Sequence, residues 1–224
     1  MARLLFTAKS GGLSEGHYSS LNLGLHVGDD FDKVLKNREV IRQAMSVEKV
    51  MYMNQVHGND VAFLDESALE ENTGKQITAD ALVTTTKGLG LAVLVADCLP
   101  ILIWGESCVA AIHVGRRGMA NGIIGHTIDV MRRHDSSRLE ALIGPGICGS
   151  CYEVDLDTYS QISKQFPSSD GGLCKIDIKA ESIHQLKSLE VNSKVLETCT
   201  LENSNYFSYR REKVCGRQGG IICL

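Results

Sequence analysis

The long hydrophobic runs of this chain crowd into one stretch, residues 79–118, ADALVTTTKGLGLAVLVADCLPILIWGESCVAAIHVGRRG, in which short apolar segments alternate with polar breaks. The run over 89–96 is too short to favour a helix, carries β-branched Val93 and Val95, and is stopped by Asp97-Cys98-Leu99-Pro100, a pattern that predicts a buried strand. Pro100 cannot donate to a central ladder, which puts Cys98 at a strand end. The runs over 101–104 and 108–114, parted by Gly105-Glu106-Ser107, predict a hairpin. A turn centred between Gly105 and Glu106 sets Cys98 opposite His113. Directly opposed side chains have Cβ atoms about 4.5–5.5 Å apart, close enough for both to hold one ion or for the imidazole to deprotonate the thiol.

Elsewhere the pattern is sparser. Apolar positions Val34, Leu35, Val40, Ile41 and Ala44, preceded by Asp29 and Asp30, predict a capped amphipathic helix over 32–45. Similar spacing predicts helices over 121–134, 156–165 and 178–189. Short strands are predicted over 4–7, 50–56, 61–64, 139–143, near Val195, and over 206–209 and 220–224. A Gly/Ser/Asn-rich stretch over 9–24 reads as a surface loop or as backbone shaped to lie against a ligand, with Lys9 and Asn22 supplying donors. Residues 65–78 form a polar loop, the segment best suited to mobility or insertion. Strands interleave with helices yet also form hairpins, so the expected fold class is α+β: a mixed β-sheet core with flanking helices in a single domain over 1–224.

Composition narrows the partners. A net charge of -4, a pI near 6.0 and basic residues scattered along the chain leave no electrostatic footprint for nucleic acid. The longest apolar tract contains Asp97 and Pro100 and reads as core, so no membrane span is expected. No export signal stands at the N-terminus, and the eight cysteines are therefore expected to be reduced thiols of a cytoplasmic protein, several of them buried. Cys148 and Cys151 form one CxxC, which fits a redox pair or half a zinc site, but no second CxxC follows at zinc-ribbon spacing. Packing cysteines are the default there, with Cys174 and Cys199 also expected to be inert. Gly115-Arg116-Arg117-Gly118 at a predicted helix entrance offers an anion site, or a solvated basic turn. Oligomeric state is open.

Several separate stretches resemble the YfiH-like family, also called laccase-domain or multicopper polyphenol oxidase-like proteins: GGLSEGHYSSLNLG, NREVIRQAM, NQVHG, ADALVTT with ADCLPILI, AAIHVGRRG, GPGIC with CYEV, Cys199-Thr200, and FSYRRE with GRQGG. They run in family order from residue 7 to 220. The resemblance implies metal ligands at His57, Cys98 and His113. Three N/S ligands with a fourth position open is the composition of a catalytic zinc site, whose chemistry is to acidify a bound water. The resemblance further implies a purine nucleoside phosphorylase, acting on adenosine, inosine, guanosine and methylthioadenosine with phosphate, and also deaminating adenosine. Arg117, Arg38 and Lys9 are then the phosphate or substrate donors, beside Asn22, with Glu153 an acid or base. Copper and phenol oxidation are the alternative carried by one family name, although seven histidines without an HxH pair are few for it. A metal-free cysteine hydrolase using Cys98 and His113, or a non-catalytic binding module, are the others. Arg116 stands where the family usually has Trp, Lys9 where Arg is common, and Cys215 where Thr is usual.

Overall fold

The computed structural model describes residues 2–70 and 77–224. Its strands divide into two sheets, both mixed, where a single mixed sheet was expected. One sheet runs β1 (Arg3–Phe6), β11 (Gln218–Cys223), β6 (Leu89–Val95), β2 (Lys49–Asn54), β4 (Ile77–Thr78). The other runs β10 (Asn192–Val195), β9 (Glu140–Ile143), β7 (Leu99–Trp104), β8 (Val109–Val114), β5 (Ala81–Thr84), β3 (Val61–Leu64). Three helices supply most of the covering layers: α1 (Phe31–Ala44), α4 (Ile123–Arg132) and α6 (Ile178–Ser188). Shorter helices are α2 (Ser67–Glu70), α3 (Arg116–Ala120), α5 (Leu156–Gln165) and α7 (Tyr209–Glu212).

Strand alternation builds the layers. Leu91, Val93 and Val95 of β6 point into the space between the sheets, where they meet Leu102, Val109 and Ala111. Their neighbours Ala92 and Leu94 face the other way, against Leu21, Leu23 and, on α1, Ile41. On the outer face of the second sheet, Ile101, Ile103 and Ile112 pack on Ile123, Ile124 and Ile128 of α4. Strands β6, β7 and β8 are therefore buried on both faces, which is why β6 is a continuous apolar run instead of an alternating one. Each fully buried aliphatic side chain contributes about 1.5–3 kcal/mol. Among the described residues no helix is long and apolar enough to cross a membrane.

The hairpin forms with a different register. Pro100 pairs with His113 and Leu99 with Val114, so Cys98 is not directly opposed to His113 but lies diagonally across from it. The turn is centred between Glu106 and Ser107, closed by Gly105 N–H donating to Cys108 at 2.9 Å. Its position is set from outside: Ser107 N–H donates to Asp135 at 2.7 Å and Glu106 N–H to Ser137 Oγ at 2.9 Å. Nothing local to residues 105–107 carries that information. Pro100 lies inside β7 without harm, because β9 pairs only from Ile101 onward and the Pro100 carbonyl accepts from Gly144 N–H at 2.8 Å.

Other elements move less. Residues 206–209 are not a strand; Ser208 instead caps α7, its hydroxyl accepting from Arg211 N–H at 3.3 Å. The helix expected over 121–134 is α4 alone, which starts only after Gly122, whose φ of +80° a Cβ would oppose; the short α3 precedes it. Helix α1 starts one residue earlier than expected, capped by Asp30, which accepts from Lys33 N–H at 3.0 Å. The polar loop over 65–78 holds α2 and β4; its remaining part, 71–76, lies outside the described residues.

Candidate active site

His113, on β8, shares its parity with Val109 and Ala111 and therefore points between the sheets. Cys98 precedes β7, and His57 lies in the turn after β2 with φ +61°. One donor atom from each of the three lies within 4.8 Å of the others. Cys98 Sγ is 3.9 Å from His57 Nε2, and the two imidazole rings meet edge to face at 4.7 Å.

Asp80, fully buried just before β5, holds this arrangement together. Its Oδ1 is 2.7 Å from His113 Nδ1 and accepts from His57 N–H at 3.0 Å; its Oδ2 accepts from Gly58 N–H at 2.6 Å and Val56 N–H at 3.3 Å. One carboxylate thus folds the His57 turn and fixes the His113 tautomer, leaving Nε2 free to ligate. The backbone closes in at Gly115, where an added Cβ would stand 3.0 Å from His57 Cδ2 and 3.3 Å from Cys98 Sγ.

Burial raises the Cys98 thiol, but the charge and hydrogen bond of His113, then those of His57, outweigh it and bring the pKa down to about 6. Burial likewise lowers His113, and the Cys98 charge with the Asp80 bond overcomes it, carrying the imidazole up to about 9. Asp80 is held below the usual carboxylate range: burial raises it, but the bond from His113 and the amide donors prevail. A thiolate beside imidazoles, with a carboxylate behind one of them, fits zinc: the set is borderline-soft and three-coordinate, and its outer partner fixes the ring.

The three residues open into a cavity of about 680 Å³. The same cavity is lined by Arg210, Lys213 and Arg217 from the C-terminal segment and by His26, Tyr152 and Tyr209. The Arg210 guanidinium lies 5.0 Å from the Tyr152 ring centre, and Arg217 lies 6.0 Å from that of Tyr209. Burial, then the charges of Arg217 and Arg38, depress the His26 pKa. Asp97, at φ +92°, turns the chain into Cys98; its carboxylate accepts from Thr200 Oγ1 at 2.8 Å and Arg210 N–H at 2.7 Å.

His57, Cys98 and His113 thus come together, and the other expected site residues do not join them. Lys9 pairs with Glu212 at 2.8 Å. Asn22 is fully buried and bonded throughout: Nδ2 donates to Gly24 O and Asp29, and Oδ1 accepts from Gly24 N–H and Arg217 N–H. Arg38 donates to Leu23 O at 2.9 Å and stacks on Tyr52 at 3.8 Å. None of these three residues lines the cavity. Arg117 is exposed on α3 and Glu153 is exposed after the CxxC turn, neither of them on the cavity. Reading the sequence missed Asp80, His26 and the basic trio as site residues. Arg210 and Arg217 do lie in the FSYRRE and GRQGG stretches, and Asp80 is the acid of ADALVTT.

The family model described as multi-copper polyphenol oxidoreductase laccase matches residues 3–224. The chain belongs to this family. A relative from Corynebacterium glutamicum named purine nucleoside phosphorylase is 41% identical, with 99% of this chain and 94% of that protein covered. One from Streptomyces coelicolor with the same name is 36% identical, covering 98% and 94%. Among solved structures, a Neisseria meningitidis protein of the DUF152 family superposes with a TM-score of 0.88 at 34% identity, covering 100% of this chain and 94% of that one. The laccase family thus includes members named for nucleoside chemistry, and this chain resembles those over its whole matched length.

Proposed function

We propose that this protein is a zinc-dependent purine nucleoside phosphorylase that also deaminates adenosine. The observation that carries the proposal is that one cavity of about 680 Å³ is lined by both a three-residue N/S ligand set and a cationic trio. His57, Cys98 and His113 would hold the zinc, which would supply a Lewis acid and an acidified water. Arg210, Lys213 and Arg217 give phosphate its counter-charges, which brings the nucleophile to C1′ of the ribose as the purine departs with the C1′–N9 electron pair. Tyr152 and Tyr209 offer flat apolar surface for the base. Asp80 keeps the His113 proton on Nδ1, which leaves Nε2 available to hold the metal. In deamination, water replaces the C6 amino group and phosphate takes no part.

The test is adenosine turnover with and without phosphate, products separated by chromatography. Adenine and ribose 1-phosphate should form only with phosphate, inosine without it, and both should vanish in Cys98→Ala. Equal adenine release with and without phosphate would remove the phosphorylase reading. Copper and zinc are distinguished by elemental analysis of protein purified without metal resin.

One observation favours a second reading. Cys98 at about 6 and His113 at about 9 form a thiolate–imidazolium pair, the resting state of a cysteine hydrolase. Activity surviving complete metal removal would favour it.

A further inference from the structure

The CxxC turn does not hold isolated packing cysteines. Cys148 Sγ, Cys151 Sγ, Cys199 Sγ and a carboxylate oxygen of Glu202 lie within 4.8 Å of one another. We propose that these four residues form a second zinc site, closed and structural, separate from the His57–Cys98–His113 centre.

Three thiolates and one carboxylate complete a tetrahedral set with no position left for substrate, the composition that separates structural from catalytic zinc. Soft sulfur ligands also select against magnesium and calcium. Sulfurs about 2.3 Å from a tetrahedral centre stand about 3.8 Å apart, so ligation draws these atoms together by no more than about 1 Å. The backbone is already arranged for it. Cys151 and Tyr152 N–H both donate to the Cys148 carbonyl at 3.1 Å, closing the turn that sets the first two sulfurs side by side. Cys148 N–H donates to Cys199 Sγ at 3.4 Å, an amide–sulfur contact that stabilises a thiolate. Cys151 Sγ lies 3.5 Å from Glu202 Oε1, and Ser150 Oγ lies 3.0 Å from Cys148 Sγ.

The sequence hides this site because its halves are 48 residues apart, Cys151 to Cys199, and meet through a single parallel bridge between Gly146 and Cys199. That bridge gives the site its role. Ile147, next to Cys148, donates its N–H to Asp97 O at 2.8 Å, and Thr200, next to Cys199, donates to Asp97 Oδ1 at 2.8 Å. A metal joining the two loops therefore fastens both neighbours of Asp97, the residue that turns the chain into Cys98. The same turn carries Ile147 and Tyr152 to the cavity wall.

The experiment uses full-length protein purified without metal resin under reducing conditions, with zinc per chain measured by elemental analysis and free thiols counted by alkylation in denaturant. Wild type should hold close to two zinc per chain. The Cys98→Ala, His113→Ala double variant should retain one, and Cys199→Ser should retain one. Glu202→Gln changes only an exposed side chain, and in competition with a chromophoric chelator it should weaken one of the two zincs at least tenfold while leaving the other as in wild type. That arm stands even where Cys199→Ser fails to fold. A single zinc that disappears with the Cys98, His113 pair and is indifferent to Cys199→Ser and Glu202→Gln would overturn the proposal. So would a disulfide between Cys148 and Cys151 in a parallel sample alkylated at lysis without reductant, or copper or iron at full occupancy in place of the second zinc. Nucleoside turnover enters none of these readouts, so the second site stands or falls separately from the proposed reaction.

Discussion

At the residue scale, Asp80 is the group on which the site depends, although it neither ligates nor lines the cavity. Asp80→Asn keeps the shape but replaces the charged acceptor behind His113 with a neutral amide. Expected is a fall of about 10–100-fold in zinc affinity at the first centre, measured by chelator competition, with the fold retained. Gly115 makes a complementary case: its missing Cβ leaves room for His57 and Cys98, so Gly115→Ala should depress turnover strongly while shifting the thermal midpoint little. The metal-free thiol gives a pH signature. With Cys98 held down to about 6 and His113 up at about 9, the thiolate–imidazolium pair exists between those values. Alkylation of metal-stripped protein should therefore reach half its maximal rate near pH 6, and a midpoint near 9 would show that the pair does not form. The sequence exposed the ligand types themselves, Cys98 and His113 at the ends of apolar runs and His57 through NQVHG. Asp80 stayed silent because a carboxylate beside a strand reads as solvated until its partners, 22 to 33 residues away, are known.

At the element scale, the hairpin shows what a pattern cannot carry. Hydrophobic runs fixed the existence of β7 and β8, and both of its strands appear where expected, but the register came from Asp135 and Ser137, beyond the far end of α4. Moving the turn replaced a direct Cys98–His113 pairing with a diagonal one. The two side chains still meet, since both keep the parity that faces between the sheets. Asp135→Ala leaves the Ser107 and Ser137 amides without their acceptor and should cost about 1–3 kcal/mol in denaturant unfolding. Burial raises the Asp135 pKa, but the Ser137 hydroxyl and the Ser107 and Ser137 amides prevail and take it from 3.8 to about 2. A depressed folded-state pKa contributes stability that is complete above the unfolded value and lost as pH falls through the folded one. The gap between wild type and Asp135→Ala should therefore narrow as pH drops from 4 toward 2, and a gap independent of pH there would remove the carboxylate's role. The start of α4 only after Gly122 and the α7 turn in place of a strand over 206–209 have the same origin, local chemistry overriding a short apolar period.

At the scale of the whole molecule, the α+β class was legible, because strands too apolar to face water on either side require layers above and below them. The division into two sheets was not, since it depends on β11 returning from the C-terminus to lie between β1 and β6. That return also delivers the cavity's cationic side: Arg210, Lys213 and Arg217 flank the start of β11, more than 90 residues after His113. The phosphate donor expected near the ligands in sequence, Arg117, does not line this cavity. Arg217→Ala should accordingly raise the KM for phosphate and leave inosine formation from adenosine nearly unchanged, while Arg117→Ala should alter neither; the reverse pattern would move the anion to α3.

The most direct test of the central claim is zinc add-back to metal-stripped protein, following phosphate-dependent release of adenine from adenosine. Turnover should return in proportion to zinc at the His57–Cys98–His113 centre and should stay down by on the order of 10³ in Cys98→Ala at any zinc concentration. Full turnover in stripped protein, or undiminished turnover in zinc-loaded Cys98→Ala, would contradict it.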